Sequence, residues 1–227
     1  MSHFFARCLL LGAGFFTALG LWAAPVGELA RVSGDVKIRS ASGQETAGAA
    51  KTPVSPGDRI VTGAASQALI RLQDKSTLLV RPSSELEIKA FVFEKTSADK
   101  METNLVSGAL RAVSGDIAKR RPDSVKHSAG TATIGIRGTD IELAIIPEGQ
   151  TDRAGIYNYV YDGKTVLTLA SGQAAELEKE LTGFVPAKPE PGEPIILILR
   201  DRPAFLQSSG FDALMQQLTQ PRIPAFR

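Results

Sequence analysis

Gly130-Thr-Ala-Thr-Ile-Gly-Ile-Arg-Gly-Thr-Asp-Ile-Glu-Leu143 is the passage whose reading decides the fold. Ala132, Ile134 and Ile136 occupy even positions, whereas Ile141, Leu143 and Ile145 occupy odd ones. Successive side chains of a strand leave opposite faces, so each set lines one face of an extended segment. The apolar phase slips by one residue around Arg137-Gly138-Thr139. Such a slip would turn a hydrophobic row toward water unless the chain bends or bulges there. A glycine-assisted corner at Gly138 is therefore expected, presenting Arg137 and Asp140 at a fixed angle.

The same alternation runs outward in both directions. Ala68, Ile70 and Leu72 alternate with Leu69, Arg71 and Gln73, and Leu86 and Ile88 alternate with Glu85, Glu87 and Lys89. Tyr157, Tyr159 and Tyr161 line one face opposite Ile156, Asn158 and Val160. Ser33-Gly34, Ser42-Gly43, Pro56-Gly57-Asp58, Ser107-Gly108, Ser114-Gly115, Asp162-Gly163 and Ser171-Gly172 read as turn punctuation, because tight turns need backbone angles that glycine supplies cheaply. The fold class is all-β: short antiparallel strands in a sandwich, barrel or β-solenoid.

The amino terminus carries one basic residue, Arg7, and then an uncharged stretch from Cys8 to Trp22, followed by Ala23, Ala24 and Pro25. This is the pattern of a secretory signal peptide cleaved near Ala23. The apolar stretch is short for the roughly 20 residues of a membrane-spanning helix. The expected product is periplasmic, with no transmembrane span after cleavage. Cys8 is the only cysteine, so the exported part holds no disulfide. With 26 basic and 24 acidic residues, nothing points to a polyanion, and no nucleic-acid partner is expected.

Residues 24–184 read as the β domain and 185–194, rich in proline, as an extended linker. Residues 195–227 read as a strand and a short helix, with Phe211, Leu214, Met215 and Leu218 at helical spacing.

The ordered pieces resemble the FecR-type domain of periplasmic iron-dicitrate sensor proteins. They are Gly34-Asp35-Val36, Pro56 to Gly63, Ala68 to Asp74, Ser76 to Ser84, Leu105 to Arg111 and Ala132 to Asp140. Coverage runs from about Gly34 to Gly172, and Ile136 to Asp140 is its most specific part. The resemblance implies an extracytoplasmic β-rich domain; its best-known members relay a receptor signal to a sigma factor. The expectation here is a soluble member without the cytoplasmic and transmembrane segments. Lys75 stands where the family usually has glycine.

Chemistry-bearing constellations are sparse. No Gly-x-Ser-x-Gly elbow occurs. His127 sits beside Ser128, yet neighbours on a strand point apart, and it reads as a surface or turn histidine. Glu85 and Glu87 lie on one strand face at roughly the spacing of an inverting glycosidase pair, but Lys89 continues the row, which reads as a solvated face. No metal or cofactor is implied, and the glycines at 130, 135 and 138 lack the lysine and helix of a phosphate loop. The chain reads as a non-catalytic binding or sensing module of the cell envelope, with an envelope protein or peptidoglycan as partner. A cell-wall or carbohydrate-active enzyme and a structural scaffold are the alternatives. The candidate interaction residues are Arg137 and Asp140 at the corner, Lys119, Arg120 and Arg121 in a basic loop, and the row Tyr157, Tyr159 and Tyr161.

Overall fold

The computed structural model describes residues 24–206. The signal peptide and the carboxy-terminal helix of the sequence reading lie outside these residues. Fifteen strands follow one another: β1 (Gly27–Ser33), β2 (Val36–Arg39), β3 (Glu45–Ala47), β4 (Pro53–Val54), β5 (Arg59–Thr62), β6 (Gln67–Leu72), β7 (Thr77–Val80) and β8 (Glu85–Val92) come first. Then come β9 (Lys100–Val113), the short helix α1 (Asp116–Arg120), β10 (Val125–Ala129), β11 (Ala132–Ile146) and β12 (Gly155–Leu169). The last are β13 (Ala174–Glu178), β14 (Thr182–Pro186) and β15 (Leu197–Leu199), then a single 3-10 turn at Ala204–Leu206. The all-β expectation holds.

All the strands join one branched, unclosed sheet. Three of them are long, 14 or 15 residues each, and each serves two lobes. The first half of β9 pairs with β8 and, in parallel, with β10; its second half pairs with β7 and β11. The halves of β11 divide between β10 and β9, and those of β12 between β14 and β13. One lobe therefore reads β4-β1-β6-β7-β9-β11-β12-β14-β15, and the other β3-β2-β5-β8-β9-β10-β11-β12-β13.

Each long strand changes face at a glycine corner. Core-facing positions in β9 are Met101, Thr103 and Leu105, then Leu110 and Ala112. In β11 they are Ala132, Ile134 and Ile136, then Ile141 and Leu143; in β12 they are Ile156, Asn158 and Val160, then Thr165, Leu167 and Leu169. The phase switches at Gly108 (φ +76°), Gly138 (φ +62°) and Gly163 (φ +82°). The corner expected at Gly138 is there, with register shifts between Arg137, Asp140 and Ile141. Ser107-Gly108 and Asp162-Gly163, read as turns between short strands, are corners inside long ones. At Gly108 a side chain is excluded outright, since a Cβ would lie 2.1 Å from Ser84 Oγ.

Between the lobes lies one aliphatic cluster drawn from both, including Leu29, Ile70, Leu78, Leu110 and Leu143 from one and Ile38, Ile60, Ile88, Ile134 and Leu167 from the other. Truncating a fully buried leucine such as Leu143 in such a core costs about 2–5 kcal/mol. The proline-rich connector is not extended throughout. Val185 and Pro186 end β14, and Glu190 to Glu193 form a turn held by a fork from Arg153 to Glu193, both bonds 2.6 Å. β15 then adds to β14 as an edge strand of the same sheet.

Candidate interaction face

The first lobe has a second face, away from the core, and its chemistry is different. Cross-strand register aligns Leu69, Leu79, Arg111, Glu142, Tyr159 and Thr182 in one row. The next row carries Ala109, Ala144, Tyr157, Phe184 and Leu197. Tyrosine, phenylalanine and arginine dominate here, where the core is aliphatic.

Arg111 anchors this face. Its guanidinium donates to both carboxylate oxygens of Asp140, at 2.9 and 2.8 Å, and lies 3.8 Å over the Tyr161 ring. A planar, two-bonded fork stacked on a ring is available to arginine and not to lysine. Beside it, Arg81 donates to Glu142 at 2.6 Å, and the Tyr161 hydroxyl donates to the other Glu142 oxygen at 2.7 Å. Glu142 is 1% exposed. Burial pushes its carboxyl above the ordinary value, with Arg81, Tyr161 and Arg111 pulling back. Burial and the neighbouring Glu142 also raise the Tyr161 hydroxyl, which stays protonated as a donor.

The carboxy-terminal part of the described chain covers the tyrosines. Tyr157 stacks on Phe184 at 4.3 Å and meets Phe205 edge-on at 5.0 Å, and Tyr159 and Tyr161 meet edge-on at 4.7 Å. Arg202 donates to the Tyr161 hydroxyl, Arg81 to the Phe205 carbonyl, and Thr182 Oγ1 to the Asp201 carbonyl. Leu206 is buried among them. Tyr157 and Tyr159 are thus packed, and Tyr161 is half-buried within a polar network.

The other sequence-selected residues lie elsewhere. Arg137 is exposed at the Gly138 corner, opposite Lys164 on β12, and the corner does not pair it with Asp140, whose carboxylate turns to Arg111. The basic cluster is not a loop: Lys119 and Arg120 end α1, where Arg120 bonds Asp99 at 2.6 Å and Lys119 remains largely exposed 3.8 Å from Asp116, and Arg121 just past the helix bonds the Ser97 carbonyl. Glu85 and Glu87 both face Arg59, at 3.0 and 3.5 Å, in a charged row that continues through Arg39 to Glu45. This row is an ion-pair ladder in which Glu85 and Glu87 are half-buried.

His127 corrects the sequence reading. Parallel pairing of β10 with β9 places it in the interior at 0% exposure, with Nδ1 2.7 Å from Thr103 Oγ1. Burial lowers its pKa to about 4, so the ring is neutral at pH 7. Among the described residues, no group of three or more histidines, cysteines or acids is placed to hold a metal ion. Arg111, Glu142, Arg81, Arg202, Phe184 and Phe205 are the members of the face that sequence reasoning missed. A single arginine and a single acid within the apolar runs Ala109 to Val113 and Ile141 to Ile146 were the available signals.

A family model described as FecR protein matches residues 58–174, from Asp58 through all three corners to Ala174. The chain belongs to the FecR family. Two crystal structures from Parabacteroides distasonis, each assigned as an anti-sigma factor, are similar in fold. One is 14% identical with a TM-score of 0.50, covering 70% of this chain and 72% of that one. The other is 12% identical with a TM-score of 0.47, covering 63% of this chain and 59% of that one. No curated protein sequence matches. Among the described residues of this FecR-family chain, no helix is long and apolar enough to cross a membrane.

Proposed function

We propose that this FecR-family chain is an exported, non-catalytic binding or sensing module of the bacterial periplasm that contacts an envelope protein. The observation that carries the reading is the family match over the cornered strands, together with a leader-like amino terminus. FecR-type sensors work by relaying occupancy through protein contacts. The ionisable groups of this chain suit that role better than catalysis. The buried histidine is neutral and enclosed, the buried Glu142 is tied to an arginine and a tyrosine, the buried Asp74 and Asp99 are held by Ser76 and Arg120, and the half-buried pair Glu85 and Glu87 is matched to Arg59. The exposed corner at Arg137 and the basic cluster of α1 and β10, where Lys119 and Lys126 face solvent, are the surfaces proposed to meet an envelope protein or the anionic groups of peptidoglycan.

The test has two parts. Osmotic release should deliver the leader-free chain with the periplasmic fraction, and crosslinking in intact cells should recover a discrete envelope protein. Retention in the cytoplasm would overturn the proposal, as would recovery of the chain alone after efficient crosslinking.

A further inference from the structure

The outer face of the first lobe has the composition of an interface, and a segment of the chain itself fills it. Buried hot spots in protein complexes are rich in tyrosine and arginine, and Tyr157, Tyr159, Tyr161, Phe184, Arg81 and Arg111 cluster here. What covers them is an edge strand of three residues and a single turn, residues 197–206. Ile198 of that strand, 52% exposed, and Ile195 just before it, 43% exposed, lie at the outer edge of the sheet among the described residues. Edge strands normally carry charge or proline against pairing, and Leu197, Ile198 and Leu199 carry neither.

The ion pairs beneath this cover do not depend on it. The buried charges beneath it are compensated from the body itself, Arg81 by Glu142 and Arg111 by Asp140. Opening therefore strands no buried carboxylate, which would be the expensive outcome. The turn at 190–193 separates β15 from β14, so the cover can leave without pulling β14 from the sheet. β14 would then become an edge with free backbone groups, the geometry of strand addition.

We propose that residues 195–206 are a built-in occupant of a strand-acceptor face, and that an extended segment of a partner protein replaces them. The cover is the template for the partner's chemistry: aliphatic side chains at two alternate positions, matching Leu197 and Leu199, then a cation and an aromatic ring, matching Arg202 and Phe205. This rests on the protein-binding reading above and assigns it a site.

A fluorescein-labelled peptide with the sequence of residues 195–206 tests the proposal against three full-length chains. The first is unaltered. The second, Leu197→Ser/Leu199→Ser, loosens the cover. The third, Thr182→Cys/Leu199→Cys in a Cys8→Ser background, locks it through a disulfide between directly opposed positions. A cover tethered in cis competes at millimolar effective concentration, so the loosened chain should bind the peptide at least tenfold more tightly than the unaltered one. The oxidised locked chain should lose binding and regain it on reduction. Peptide variants lacking Arg202 or Phe205 should bind less well. Equal binding to all three chains, or none to the loosened and reduced locked chains, overturns the proposal. An envelope partner recovered equally by locked and unlocked chains would remove this site while leaving the protein-binding function standing.

Discussion

The Arg111 guanidinium and the Asp140 carboxylate form a two-bonded fork between β9 and β11, at 2.9 and 2.8 Å, immediately past the corners of both strands. Asp140 lies where the register of β11 shifts, so the fork fixes the corner's angle as well as joining two strands. Replacing Arg111 by lysine keeps the charge but loses the fork and the contact with Tyr161. Arg111→Lys should lower unfolding free energy by about 1.5–3 kcal/mol, the usual worth of hydrogen bonds to charged groups. Urea denaturation checks this; an unchanged midpoint would show that the fork contributes nothing.

Arg81 and Glu142 differ in what their loss leaves behind. Arg81→Ala leaves a carboxylate that is 1% exposed without its principal cation, and should cost about 3–5 kcal/mol. Glu142→Gln removes the charge that burial penalises and keeps an acceptor for Tyr161, so it should cost distinctly less. Thermal unfolding of both variants gives the order, and the reverse order would contradict the network described.

His127 makes stability depend on pH in a defined direction. Its folded pKa is about 4, below the roughly 6.5 of an unfolded histidine. The unfolded state therefore binds more protons between those values, and its stabilising share is full above pH 6.5 and lost as pH falls toward 4. The size is on the order of 3 kcal/mol. His127→Leu should flatten the dependence over that window in urea titrations at stepped pH, and an equally steep profile would remove His127 as its cause.

Lys75 occupies a glycine's conformation. The β6–β7 hairpin closes with a tight turn in which Lys75 N–H donates to the Leu72 carbonyl at 3.0 Å and Lys75 itself has φ +68°. A three-residue hairpin loop of this kind puts its last residue in the left-handed region, which costs a side-chain-bearing residue about 1–2 kcal/mol. The exposed ion pair from Lys75 to Asp116, 3.3 Å, returns little. Lys75→Gly should raise stability by about 0.5–1 kcal/mol after glycine's greater unfolded entropy is counted. Calorimetry checks it, and destabilisation would mean the turn tolerates lysine without strain.

These cases mark what the sequence makes legible. The corner at Gly138 is readable because branched aliphatics crowd both sides of it and make the phase slip visible. The corners at Gly108 and Gly163 are not, because Val106-Ser-Gly-Ala109 and Tyr161-Asp-Gly-Lys-Thr165 interrupt the apolar rhythm with small or polar residues. A glycine there reads equally well as a turn. His127 reads as a surface residue because its burial comes from a parallel pairing with β9, 24 residues away, which local alternation does not reveal. The tyrosine row is plain in the sequence. Its arginine and glutamate partners come from the residue after β7 and from β9 and β11, and only the register of the finished sheet brings them together.

The most direct test of the central claim, an exported module that works through protein contact, is site-specific photocrosslinking in living cells. A photoreactive residue is placed in turn at Arg137 and at Lys126, both exposed, and at buried Leu143 as a control. The account predicts a discrete covalent adduct with an envelope protein from at least one exposed position, none from Leu143, and recovery of the adduct outside the cytoplasm. No adduct from either exposed position, or adducts formed solely with cytoplasmic proteins, would contradict it.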